Sequence, residues 1–513
     1  MKRTFLTVGL SALFSLSLIG ILDLKAVKVI FIIAFIALFV FISVKKTRLD
    51  GTLPIIFVTV CCCCLLFTAF DRSVQRKTAF LKDNMTLHRI TGEVISLPTY
   101  SYGRVYYTVK TQTVDGVKNC QKIRLSLKRT IEASPYDRVE GDVRLYKLGS
   151  DTDEIEKYYR SKGLYLGGTL DSNKSFKITK RTSFHPMYYV LTAKKALSDS
   201  IIKNIPNECG ALLTGLLLGD KSLISSETLE DFIDIGSYHL LAVSGLHISV
   251  WAGFVYSLLN VFHLRKKLVF ILSIAFILFF MALTGFNPPV LRAGILMIFV
   301  FLGNLSGKEA DSLNSIGFAV TLMLLINPYA AYSESLWLSV FASFGIILLS
   351  DKIYLSLKRR EFENRAAEFI CSFVLQSLAV SIGVTVFTFP LTVLFFDRVS
   401  LVTPFSNLVL IEISSLAMLF TGFAALLYVF RLGFISYPLF YASSLLSKII
   451  LRFSHWLSSF ERIWVSTSDL PVKILAVALP TAVITIYILK KKNASQKDFS
   501  YTLKCDTINN NEK

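Results

Sequence analysis

The run GSYHLLAVSGLHISVW, Gly236 to Trp251, sets His239, Ser244, Gly245 and His247 into an otherwise apolar stretch. Read as one helix entering a membrane, it carries His247 about 11 residues in, ~16 Å deep at 1.5 Å per residue. An imidazole near mid-bilayer is costly and turns toward a bundle interior or a wet cavity. The blander alternative is interhelical hydrogen bonding by Ser and His, worth roughly 1 kcal/mol. Ser244 and His247 are three apart, so a helix can also bring a nucleophile and a base within about 3 Å. No G-x-S-x-G elbow accompanies them, which weakens a hydrolase reading.

A second constellation is GFNPPVLRAGIL, Gly285 to Leu296. Pro288 and Pro289 suit the first turn of a helix. Arg292 then lies near the positive helix end, where a cation is disfavoured and an anionic partner is implied. The alternative is a snorkelling anchor to lipid headgroups. Gln376, Asn407 and Glu412 lie in apolar runs, where each is either a path residue or glue between helices. GLLLGDKS (215–222) and GNLSGKEA (303–310) resemble a phosphate loop but lack G-x4-G-K-[ST]. The six histidines are dispersed and Cys61 to Cys64 are consecutive, so neither set converges on a metal. No cofactor, metal or structural disulfide is expected.

The elements that must position these residues are hydrophobic spans. The chain has 513 residues, 53% apolar and 18% charged. The apolar excess falls in blocks near 20 residues, the length that crosses a bilayer. The fold class expected is a polytopic α-helical membrane protein of about twelve spans. Three come first (residues 1–70), at about 5–22, 27–44 and 53–70. Residues 236–490 hold about nine more. Basic residues at 45–48, 265–267, 308, 351–368, 431 and 490–492 mark inside loops, which puts both termini in the cytoplasm. The same bias accounts for much of the net charge of +19 without invoking nucleic acid. Residues 491–513 read as a polar, disordered tail.

Residues 71–185 change character. ITGEVISL (90–97), RVYYTVKTQTV (104–114), CQKIRLSLK (120–128) and DRVEGDVRLYKL (137–148) alternate as strands, with Asp115-Gly116 as a turn. EIEKYYRSKG (154–163) reads as a helix. Short strands with one helix suit a small extracytoplasmic β-barrel of OB type, though a sandwich has the same periodicity. Arg104, Lys110, Lys122, Arg124 and Lys128, interleaved with Tyr100, Tyr102, Tyr106 and Tyr107, supply charge and stacking surfaces for a single strand, or form an ordinary solvated face. Residues 186–235 begin with an amphipathic membrane-surface helix, 187–205, and continue through ALLTGLLLGDKS (211–222), a buried or re-entrant segment.

ECGALLTGLLLGDKSLISSETLEDFIDIGSYHLLAVSGLHIS (208–249) resembles the signature of the ComEC competence proteins. The likeness continues through TGFNPPVLRA (284–293), SLWLSVFASFGI (335–346) and FFDRVSLVTPFSNLVL (395–410). It implies a channel for single-stranded DNA in the cytoplasmic membrane during natural transformation. His239, Ser244, Gly245, His247, Arg292, Gln376 and Asn407 would then lie on the DNA path, and the OB-like domain would meet DNA outside. The resemblance also implies partners: an extracytoplasmic DNA receptor, a cytosolic ATP-driven translocase, membrane lipid and a second copy of the chain. Many members carry a metallo-β-lactamase-like domain that no segment here matches, so a nuclease would act in trans. Glu412 stands where members often have Pro. Two rivals remain: a secondary transporter of a small anion using His247 and Glu412, and an intramembrane serine hydrolase using Ser244.

Overall fold

A computed structural model describes residues 3–21, 52–81, 85–101, 104–127, 133–149, 153–170, 176–181, 184–305, 311–358, 364–460 and 463–476. The expected span at 27–44, Lys128, Tyr102, Lys308 and the tail 491–513 lie outside the described residues. The chain divides into two compact units. One comprises Met1–Asp231, Ser237–Ser339 and Val409–Trp456; the other comprises Phe232–Gly236, Val340–Leu408 and Leu457–Lys513.

The first unit opens with α1 (Thr4–Ile21) and α2 (Thr52–Thr78). The barrel follows: β1 (Thr86–Val94), β2 (Arg104–Val114), β3 (Lys122–Leu127), β4 (Arg138–Lys147), α3 (Asp153–Ser161) and β5 (Leu166–Leu170). The strand order is β1-β2-β3-β5-β4, and β4 pairs back onto β1, which closes a five-strand barrel. Only β3 and β5 run parallel within it. A short β6 (Lys177–Thr179) adds to β4. Alternation builds the core: Val105, Tyr107 and Val109 of β2 point in, with Ile123 and Leu125 of β3 and Leu145 of β4. At the β2 hairpin Asp115 and Gly116 have φ of 51° and 79°, the doubly left-handed turn that matches strand twist. The Asp115 carboxylate fixes that turn by accepting from the Arg89 backbone N–H at 2.9 Å and bonding His88 Nδ1 at 2.6 Å.

After the barrel come α4 (Pro186–Asn204), α5 (Asn207–Leu218) and α6 (Ser226–Asp234). Every residue of α5 from Gly210 to Leu218 is buried, one of the two forms expected of that segment. A 3₁₀ turn (Tyr238–Leu241) leads to α7 (Gly245–Val261), α8 (Lys266–Leu283), α9 (Pro288–Leu305) and α10 (Ser312–Ile326). α9 begins at the two prolines, as their fixed φ favours. α1 crosses α10 at two glycines: a Cβ on Gly9 would lie 2.3 Å from the Gly317 carbonyl oxygen, and one on Gly317 would lie 2.1 Å from that of Phe5. Such contact needs small residues on both helices. At one end of this pair Arg3 Nε bonds Asp311 at 2.9 Å.

The barrel is fastened to the helices by a buried polar knot. Asp71, near the end of α2, accepts from the Tyr329 hydroxyl at 2.5 Å and from Gln75 at 2.7 Å. Arg160 of α3 lies 3.6 Å from the same carboxylate and 5.4 Å from the Tyr329 ring. Asn327 donates to the carbonyls of Arg160 and Ser161, at 3.3 and 2.8 Å. Burial and the adjacent Asp71 carboxylate push the Tyr329 hydroxyl well above its usual range, so it stays a donor.

α11 (Glu334–Gly345) runs through a π turn (Ile346–Ser350) into α12 (Asp351–Leu357). The second unit then holds α13 (Arg365–Phe395), with Pro390 inside it, and β7 (Arg398–Ser400). In chain order α14 (Thr403–Val429) and α15 (Gly433–Ser458) follow, with Val409–Trp456 belonging to the first unit; in the second unit β8 (Trp464–Ser466) pairs antiparallel with β7. Within this unit Arg398 bonds Asp234 at 2.5 Å, and Ser406 Oγ donates to the Ile235 carbonyl at 2.8 Å. Among the described residues, seven helical runs are long and apolar enough to cross a membrane: Val58–Thr78, Lys266–Leu283, Pro288–Leu305, Glu334–Leu357, Glu368–Phe395, Thr403–Val429 and Gly433–Ser458.

Candidate functional site

The run from Gly236 to Trp251 is not one helix. Gly236 has φ of 74°, and a Cβ there would lie 2.0 Å from Thr403 Oγ1. After the 3₁₀ turn, Ser244 is extended (φ −115°, ψ 178°) and α7 starts at Gly245. His247 is therefore the third residue of its helix, not the eleventh, and the depth reckoned from a continuous helix does not apply. Ser244 and His247 instead form a reciprocal capping box, with His at the position that Glu or Gln usually fills. His247 Nδ1 accepts from the Ser244 backbone N–H at 3.1 Å and sits 2.9 Å from Ser244 Oγ. A backbone N–H can only donate, so Nδ1 is the bare nitrogen and the ring proton sits on Nε2. His247 is buried and lines a cavity of about 10 Å³ with Leu240, Leu246, Ser414, Ser415 and Met418.

Arg292, in the second turn of α9, is also buried, at 8% exposure. Its Nε donates to Ser339 Oγ at 2.8 Å, so it points into the protein rather than snorkelling to headgroups. A Cβ on Gly245 would lie 3.6 Å from Arg292 Nη2, which sets the guanidinium against the start of α7. The structure thus gathers Ser244, Gly245, His247 and Arg292. His239 is exposed on the 3₁₀ turn, and Glu412 is half-buried on α14. Gln376, exposed on α13, and Asn407, buried on α14, belong to the other unit.

On the barrel, Arg104, Tyr106, Thr108 and Lys110 point outward from β2, and Lys122 and Arg124 point outward from β3. Register sets Lys110 beside Lys122 and Thr108 beside Arg124, so the four described of the five expected basic residues share one face. The Arg124 guanidinium lies 4.2 Å from the Tyr106 ring centroid and 5.4 Å from that of Tyr159. Tyr107 is not part of this face. It is 2% exposed in the core, and its hydroxyl accepts from the Ala133 N–H. Strand alternation sends it inward because Tyr106 points out.

Residues 216–492, more than half of the chain, match the Competence protein family. The chain belongs to that family. The match holds Ser244, His247 and Arg292 and begins after the barrel. The chain is 31% identical over 165 residues to ComE operon protein 3 of Bacillus subtilis, covering 32% of this chain and 21% of that protein. It is 29% identical over 278 residues to an uncharacterized protein of Aquifex aeolicus, covering 53% and 61%. It is 22% identical over 401 residues to Recombination protein 2 of Haemophilus influenzae, covering 76% and 48%. The chain spans less than two thirds of the length of these relatives. No solved structure matches it.

For this Competence-family chain the residue patterns did not announce Tyr159, Lys221, Tyr238 or the Asp71–Tyr329 pair. Tyr158-Tyr159 inside the expected helix 154–163 was the available signal. Lys221 and Tyr238 stand in the signature run but carry no motif of their own.

Proposed function

We propose that the protein conducts single-stranded DNA across the cytoplasmic membrane during natural transformation, receiving it on the barrel outside the cell. The single observation that carries this reading is the outward β2–β3 face. Arg104, Tyr106, Lys110, Lys122 and Arg124 lie together on a closed five-strand barrel, attached to a Competence-family helical domain. The second and third strands form the oligonucleotide face of OB barrels, where cations track phosphates and rings stack on bases. In the helical domain Arg292, Gly245 and His247 are the polar cluster that a strand would pass. The interior of the cell is negative, so each nucleotide charge moved inward costs about 2.3 kcal/mol per 100 mV. Sustained entry therefore calls for an ATP-driven motor in the cytosol, and a receptor and a nuclease complete the partner set.

The hydrolase alternative loses ground on the same geometry. The Nδ1 lone pair that would take a proton from Ser244 Oγ is shared with a backbone N–H. The test of the proposal is DNase-protected uptake of labelled DNA in a strain lacking this chain. Loss of protected label with surface-bound label retained is expected. Unchanged uptake, at proven absence of the protein, overturns it.

A further inference from the structure

From the barrel face cations and tyrosine rings continue along α3, and a further cation–ring pair stands at the signature turn. Arg124 lies between Tyr106 and Tyr159, and the Tyr159 ring is 5.3 Å from that of Tyr158. Lys162 Nζ stands 4.1 Å over the Tyr158 ring and bonds its hydroxyl. Lys221 Nζ stands 3.7 Å over the ring of Tyr238, the residue that opens the 3₁₀ turn. Burial and the Lys162 charge lower Lys221 to about 8. Burial and Tyr158 push the Tyr238 hydroxyl upward. Tyr158 and Tyr238 are 52% and 40% exposed, and Lys162 is exposed. Among the described residues no carboxylate lies within 4.0 Å of Lys162 or Lys221. Arg160, two residues before Lys162, is different: Glu156 and Asp71 neutralise it.

Two cations with no carboxylate within 4.0 Å among the described residues, each seated on an accessible ring, match the chemistry of a single strand: phosphates for the ammonium groups and bases for the rings. A polar lipid surface would use the cations but has no use for the rings. We propose that Lys162, Tyr158, Lys221 and Tyr238 form a bridge that carries single-stranded DNA from the barrel over α3 to the turn before α7. This rests on the DNA-conducting reading above and adds to it the route between its two sites.

The test uses the full chain in phosphatidylcholine nanodiscs and fluorescein-labelled oligo-dT, with anisotropy read across a salt series. Lys162→Gln with Lys221→Gln should lower the slope of log affinity against log salt by ~1.4, at ~0.7 per single-strand phosphate contact. Tyr158→Ala with Tyr238→Ala should weaken binding by about five-fold or more per ring and leave the slope unchanged. Lys162→Gln alone, at an exposed position, keeps the slope measurable if a double variant is poorly made. If these variants bind like the wild type while Arg124→Gln with Lys122→Gln binds weakly, the bridge is wrong and the barrel reading stands. If the wild type binds no oligo-dT, both fall. If the lysine variants lose affinity only for phosphatidylglycerol vesicles, the surface is a lipid contact and the bridge is wrong.

Discussion

His247 is the position where a substitution series separates capping from chemistry. His247→Ala removes the acceptor for the Ser244 N–H and opens space beside a cavity of about 10 Å³. An orphaned buried donor costs about 1–3 kcal/mol, and the loss of side-chain packing adds to it. A total near ~2–4 kcal/mol follows. Ser244→Ala forfeits only its half of the box, about 0.5–2 kcal/mol. Gln at the third helical position can accept the same N–H through Oε1, as capping boxes ordinarily do. His247→Gln is therefore expected within about 1 kcal/mol of wild type. The assay is thermal unfolding of purified protein in one detergent, with DNase-protected uptake measured in cells at matched protein level. The capping account is refuted if Gln destabilises as much as Ala. If Gln restores stability but not uptake, the imidazole serves transport beyond its cap.

Tyr329→Phe deletes the hydroxyl donor to the buried Asp71 carboxylate, a loss of about 1.5–3 kcal/mol; limited proteolysis between α2 and the barrel should speed up. Asp71→Ala added to it should cost less than the sum of the two single changes, measured by the same unfolding scan. Gly317→Ala places a methyl within 2.1 Å of backbone on α1, and backbone cannot step aside; an overpacking cost of about 1–3 kcal/mol should appear as a lowered melting temperature and poor yield. Lys221 ionises in the folded protein near 8 against the ordinary 10.5, so between those values the folded state holds fewer protons than the unfolded chain. Its destabilising contribution is full below about pH 8 and is relieved as pH rises through the window. Scans at successive pH values should show the wild type gaining stability relative to Lys221→Met, and equal slopes would refute the shift.

The barrel was legible because its strands obey a local rule. Residues 104–114 alternate and fold over that same range, and Asp115-Gly116 turns where a doubly left-handed pair is needed. β5 was not legible: LGGTL has no alternation, and it becomes a strand by filling the slot between β3 and β4. Ser244, Gly245, His247 and Arg292 stand out in the sequence and lie together in the fold, but the sequence does not reveal their geometry. Gly236 and the extended Ser244 break the helix that hydropathy alone makes continuous. Arg292 advertised a need for a partner, but Ser339 lies 47 residues away and nothing local points to it.

The crossing of α1 on α10 sets an order of events during synthesis. Arg3 and Asp311, at one end of it, are 308 residues apart. At about 5–20 residues per second, the first helix leaves the ribosome roughly 15–60 s before the helix whose glycine receives it. For that interval its glycine face has no mate within this chain. Newly made protein halted before residue 311 should accordingly remain bound to insertion or quality-control machinery. Completion of α10, rather than arrival of the barrel, should be the moment at which the amino-terminal helix is released into its final place.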